Sequence, residues 1–144
     1  MKQCDNAWGT AILGSSTTIC ASGCVVCSLA SGMSARGIKI SGASPTCANL
    51  NIWLKSNGGF SGNLLIWSSV AKFGLTYEGQ TSTLAAIKTA VKSNKIVIIN
   101  VKQGGHWVLV TGYNGDIFTV MDPGYSRTTY TASEITSNRA SVYR

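Results

Sequence analysis

Apolar residues recur at spacings of three and four from Cys24 to Ala35, where Val25, Val26, Leu29, Ala30 and Met33 fall along one side of a helical projection. The spacing predicts a helix over that stretch, opened at Ser22 or Gly23 and stopped at Gly37. A second helix is predicted from Pro45, a residue suited to a first turn, to Ser56; Cys47, Leu50, Trp53 and Leu54 form its apolar set and Asn57-Gly58-Gly59 ends it. A third is predicted over Leu64 to Phe73, with Leu64, Trp67, Val70 and Ala71 on one side and Gly74 behind it. A fourth spans Thr83 to Ser93 on the stripe Leu84, Ile87 and Val91, with Lys88 and Lys92 facing out together. The first 22 residues, rich in Gly, Ser and Thr, show no period and read as an irregular arm.

The period then changes. Lys95 to Val101 is β-branched and almost continuous, as in a strand buried on both faces. Trp107 to Tyr113 reads as a second strand, Asn114-Gly115 as a hairpin signal, and Ile117 to Met121 as the returning strand. Asp122-Pro123-Gly124 turns out of it. The tail beyond Tyr125 is polar, with a short helical turn or a strand between Thr131 and Arg139. Helices first and an antiparallel sheet after them make an α+β pattern. No internal repeat or domain boundary is visible, so residues 1–144 are expected to form one domain.

Composition narrows the chemistry. Charged residues make up 12% of the chain, too few for charge-driven disorder. Twelve Lys and Arg against five Asp and Glu give +7, which favours an anionic partner such as a cell-wall polymer. The lysines are scattered without a basic block, so no nucleic-acid partner is expected. No apolar run reaches the ~18 residues of a membrane span. The amino-terminal residues lack the charged-then-apolar layout of a signal peptide, so synthesis in a reducing cytosol is expected, with lysis or a virus particle as the route out. Five cysteines cannot all pair within the chain. A single histidine excludes a multi-histidine metal site and makes His106 the one source of imidazole.

His106 sits in Gly104-Gly105-His106-Trp107 at the mouth of a strand, where flanking glycines let other backbone approach. A surface or satisfied core histidine is the bland alternative. The hairpin folds Asp122 back to the same end of the sheet, where a carboxylate can orient the imidazole; alternatively Asp122 only opens its turn. Cys24 opens the first helix, whose free amide N–H groups and partial positive charge support a thiolate and an oxyanion. A buried apolar thiol is the alternative for Cys24 and the better reading of Cys27 and Cys47. The run Cys20, Cys24, Cys27 also has the C-x₃-C-x₂-C spacing of a three-thiolate iron–sulfur site, and Cys4 is a conceivable fourth ligand of a zinc site. A helices-then-hairpin chain does not supply the open barrel that such cluster enzymes use.

These residues resemble a known group. Gln3-Cys4-Asp5, Trp8-Gly9, Gly23-Cys24, Ser28-Leu29-Ala30, Met33, Gly105-His106-Trp107-Val108 and Asp122-Pro123-Gly124 together look like the papain-like cysteine peptidases related to the bacteriocin-processing, double-glycine peptidases. The likeness runs from Gln3 to about Tyr130, in the order Gln, Cys, His, Asp. It implies a papain-like fold in which a long nucleophile-bearing helix packs on an antiparallel sheet, and no metal or cofactor. It implies Cys24 as nucleophile, His106 as general base and acid, Asp122 as the group orienting it, and Gln3 as side-chain donor of the oxyanion hole beside the N–H of Cys24. Cys20 and Cys27 depart from a one-cysteine site and are expected to be able to pair with Cys24 on oxidation. The implied activity is peptide or amide hydrolysis. The substrates implied are leader peptides ending in two glycines or bacterial cell-wall peptides, and the small basic chain favours peptidoglycan and a phage-type lysin. A non-catalytic binding module, presenting Trp8, Trp53, Trp67 or Trp107 to a ligand, is the rival from another class.

Overall fold

A short hairpin and a one-turn helix occupy the segment expected to be irregular. In the computed structural model, which describes residues 1–144, β1 (Ile12–Leu13) pairs with β2 (Thr17–Thr18), and α1 (Ile19–Ser22) follows, capped by the Thr18 hydroxyl. The next helix, α2 (Cys24–Ala35), has the limits its spacing predicts. It ends in a paired carbonyl cap: with Gly37 at φ 72°, the Gly37 and Ile38 amides donate to the carbonyls of Ser34 and Met33.

The following helix, α3 (Cys47–Ser56), begins later than the Pro45 start predicted for it, because Thr46 takes the capping position. Its hydroxyl accepts from the Asn49 amide while the Asn49 side chain accepts from the Thr46 amide, a reciprocal arrangement that proline cannot make. The helix predicted over Leu64 to Phe73 is only half present. Here β3 (Phe60–Ser61) pairs with β4 (Leu64–Leu65), turning through Gly62 at φ 62°, and only Trp67–Phe73 winds, as 3₁₀ helix ending on left-handed Gly74. An apolar run such as Leu64-Leu65-Ile66 suits either state, and the turn ahead of it decides.

The rest of the chain contributes β5 (Tyr77–Gln80), α4 (Leu84–Lys92), β6 (Ile96–Val101), β7 (His106–Asn114), β8 (Ile117–Met121), β9 (Thr129–Thr131) and β10 (Ala140–Tyr143). These strands form one antiparallel sheet in the order β5-β10-β6-β7-β8-β9. Neither β5 nor β10 was expected. The β7–β8 hairpin closes through Gly115-Asp116, one residue beyond the Asn114-Gly115 pair, with Gly115 at φ 60°.

The continuous apolar run of β6 is explained by cover on both faces. Ile96 and Ile98 join the core beneath α2 and α3, whereas Val97, Ile99 and Val101 join the core beneath α4. The mixed helix and antiparallel sheet is the expected α+β class. Trp67 packs against Trp107, Tyr77 and Tyr143, and Trp53 against Phe73, so these three indoles are half-buried against the core. No helix is long and apolar enough to cross a membrane.

Four of the five cysteines pair: Cys4 with Cys20, and Cys27 with Cys47. Cys24 keeps its thiol, and Cys20 and Cys27, expected to be able to pair with it on oxidation, are joined to other partners. Cys27 and Cys47 are buried, as their helical positions suggested, but as a bridge between α2 and α3. The same pairing leaves the three-thiolate spacing without its three thiolates.

Candidate active site

The β7–β8 register sets Leu109 opposite Met121, which carries the first residue of β7 and the residue after β8 to the same end of the sheet. His106 and Asp122 meet there, with His106 Nε2 at 2.7 Å from Asp122 Oδ1. Both are almost fully buried. The turn after β8 wraps its amides onto the same oxygen: Gly124 N–H donates at 2.9 Å and Tyr125 N–H at 3.0 Å. The Tyr130 hydroxyl donates to the other carboxylate oxygen at 2.5 Å. Burial alone would push the Asp122 carboxyl up. The donors from Tyr130, His106, Gly124 and Tyr125 outweigh it and hold the group below its ordinary range. With Nε2 committed to Asp122, Nδ1 is the ring nitrogen left for chemistry.

Cys24 is the first residue of α2, and Gly23 is the hinge between α1 and α2. A Cβ on Gly23 would stand 2.4 Å from the Ile19 carbonyl oxygen, so only glycine lets the chain deliver Cys24 to the helix start. Cys24 and His106 line one cleft of about 510 Å³. The amide of Trp107 on β7 and those of Val25 and Cys24 at the helix start all favour the thiolate. Burial is nevertheless the largest influence and, with the nearby Asp122 charge, leaves the Cys24 thiol above its ordinary range. The helix start therefore does not by itself lower this thiol, and a neighbouring base is the group that could take its proton.

Gln3 is placed in the same cleft, and its terminus is tied down. Its backbone N–H donates to Pro123 at 2.9 Å and its side-chain Nε2 to the Cys20 carbonyl at 2.8 Å. The disulfide from Cys4 to Cys20 and the Lys2 ammonium on the Asp122 and Tyr125 carbonyls hold the flanking residues. One hydrogen of the Gln3 amide remains for a substrate oxygen, and Gln3 Oε1 is buried without a partner.

Two further groups, Asn100 and Tyr125, shape the site without a motif to mark them. Asn100 interrupts the apolar run of β6, and its buried amide donates to the Gly104 and His106 carbonyls at 3.2 and 3.1 Å. A lone polar residue in a strand buried on both faces needs such partners, and that is the signal that could have found it. Tyr125 stands edge-on to the His106 ring at 5.0 Å between centroids and carries the Lys102 ammonium over its own face. On the opposite side the cleft is walled by the β3–β4 hairpin, with Phe60, Leu64 and Leu65. Asn63 clasps this hairpin to β1–β2 through the amides of Ser15 and Ser16. The cleft is lined by no Asp, Glu, Lys or Arg.

Gly124 has a steric reason to be glycine. A Cβ there would stand 2.9 Å from His106 Cε1, 3.1 Å from Gln3 Oε1 and 3.3 Å from His106 Nε2. Gly124→Ala is expected to displace the imidazole and to lower kcat about 100-fold, the penalty of a displacement near 1 Å. The lone imidazole gives one pair of ring ¹⁵N resonances, which should move in the same variant. Wild-type kcat with unmoved resonances would show that the turn yields harmlessly.

No group of side chains in the structure is arranged to hold a metal ion. A model of the Peptidase_C39 like family matches residues 2–144. No curated protein matches the chain.

Proposed function

The chain belongs to the Peptidase_C39 like family, a papain-like peptidase group, and from that membership and the site geometry we propose that it is a cysteine peptidase working through Cys24, His106 and Asp122. The observation that carries the reading is the shared cleft, lined both by the one free thiol, at a helix start, and by the one imidazole, itself held by a buried carboxylate. In this mechanism His106 Nδ1 takes the Cys24 proton as the sulfur attacks a peptide carbonyl carbon. The Cys24 N–H and the Gln3 amide receive the oxyanion. The imidazolium then protonates the leaving amine, and water, deprotonated by His106, releases the acyl group from sulfur. Asp122 keeps the ring in the tautomer that leaves Nδ1 free to accept.

The cleft without charged side chains suits uncharged residues on either side of the scissile bond. The +7 charge supports work at an anionic envelope, and we extend the proposal to bacterial cell-wall peptides cleaved by a phage-type lysin. Two disulfides favour action outside a reducing cytosol, after release by lysis or on a particle.

The experiment pairs iodoacetamide with hydrolysis of purified cell walls and of a peptide carrying a double-glycine site. One carbamidomethyl group on Cys24, with loss of amine release, is the expected result. Release from walls but not from the leader peptide would select the lysin reading, and the reverse would select leader processing. The raised thiol is the one observation favouring a non-catalytic binding module. No alkylation at neutral pH and no hydrolysis of either substrate would establish that reading instead.

A further inference from the structure

The carboxylate of Asp122 is 2% exposed and has two oxygens in unequal surroundings. Oδ1 accepts three bonds, from the His106 ring and from the amides of Gly124 and Tyr125. Oδ2 accepts one, from the Tyr130 hydroxyl. Tyr130 comes from β9, at the far edge of the sheet, and is itself 1% exposed. Its ring is clamped: Phe118 is its cross-strand neighbour, and the Arg127 guanidinium carbon lies 4.0 Å from the ring centroid. Arg127 in turn is held by both carboxylate oxygens of Glu134, at 2.8 and 2.9 Å. Glu134 also accepts from the Thr131 amide, so the clamp is anchored to the end of β9.

We infer that Tyr130 is a positioning residue for the reaction: its hydroxyl fixes the rotation of the Asp122 carboxylate, and through it the direction of the His106 ring. The inference rests on the catalytic reading above. A carboxylate held at one oxygen by two adjacent amides can still swing about its Cβ–Cγ bond, carrying Oδ1 away from Nε2. A donor on the second oxygen removes that freedom. The same donor is the only partner of Oδ2, so without it a buried oxygen is left without a hydrogen bond. Other polar groups around Asp122 cannot replace it. The Lys2 ammonium is on the Asp122 backbone carbonyl, the Arg127 guanidinium is on the Tyr130 ring face, the Lys102 ammonium lies over Tyr125, and the Cys24 thiol is in the cleft.

Tyr130→Phe removes one oxygen and keeps the ring. It is expected to lower kcat about tenfold, with KM within about twofold, because one hydrogen bond to a charged group is lost and no substrate contact changes. The acid limb of the kcat/KM profile should move to higher pH, since Asp122 with one donor fewer takes a proton more readily. The ring ¹⁵N resonances of His106, the single histidine, should shift. Val97→Ala serves as control, loosening the same core from β6, three strands away from β9. Unchanged kcat, acid limb and resonances in Tyr130→Phe would overturn the inference, and so would the same set of changes in Val97→Ala. Should Tyr130→Phe not fold, the wild type supplies another reading. A phenol proton held by a buried carboxylate exchanges slowly and gives a downfield resonance that Asp122→Asn moves; its absence would overturn the inference. If Cys24→Ala retained hydrolysis, the catalytic reading would fail, while the His106 resonances would still report the hold of Tyr130 on Asp122.

Discussion

Cys24→Ala is expected to abolish peptide hydrolysis while leaving the fold and its melting temperature close to wild type. The activity loss is expected to reach about 10⁴-fold or more, since the covalent route vanishes and only binding and oxyanion stabilisation remain. The small effect on stability follows from the surroundings of the thiol. Cys24 is only half-buried at the first turn of α2, outside both core clusters, and alanine is the best helix former. The disulfides are untouched, because Cys24 has no part in either. The assay compares hydrolysis, iodoacetamide uptake and thermal unfolding in the two proteins. Hydrolysis within tenfold of wild type would remove Cys24 from the role of nucleophile. A fall of more than a few degrees would show that the loss of activity reports unfolding and not chemistry, and Cys24→Ser would then replace it.

The candidate nucleophile is legible because its signal is local. Gly23-Cys24 heads a helix whose spacing is unambiguous, and the segment folds within those limits. His106 and Asp122 were legible for a related reason: a hairpin with a short loop fixes which residues end together, so the pairing needs no distant information. What escaped depends on partners far along the chain. Strand β10 is four residues, Ala140 to Tyr143, after a polar tail, and becomes a strand only because β5 and β6 flank it. Tyr130 escaped in the same way, since nothing around Thr129-Tyr130-Thr131 shows that its hydroxyl reaches Asp122. Cysteine connectivity cannot be read from spacing, and the pairing of Cys20 with Cys4 and of Cys27 with Cys47 left the thiol between them free. The upward push of burial on that thiol was not legible, because a helix start is visible in sequence whereas burial is not.

Asp122 carries the second large effect, and two substitutions separate its contributions. Asp122→Ala leaves the Tyr130 hydroxyl, the His106 ring nitrogen and the amides of Gly124 and Tyr125 without an acceptor. Tyr130 and His106 are the buried pair, and at about 1–3 kcal/mol for each orphaned group the variant should lose about 2–6 kcal/mol of stability. Asp122→Asn keeps the shape and an acceptor but presents no charge to an imidazolium. Its fold should persist while kcat falls by about 10⁴, the size of effect expected when an imidazole loses its orienting carboxylate. The sign of the pH dependence follows from the lowered Asp122 pKa. A carboxyl that binds its proton less readily folded than unfolded stabilises the fold above its unfolded pKa of about 3.9, and that contribution is lost as the pH falls through the folded value. A protonated aspartic acid is close to an asparagine in shape and charge. The urea midpoints of wild type and Asp122→Asn should therefore converge at the most acid pH and separate as the pH rises through about 4. Midpoints that differ by the same amount from pH about 2.5 to 7 would mean that Asp122 is as neutral in the folded protein as out of it, and the hydrogen-bonded carboxylate at the centre of this site would have to be abandoned.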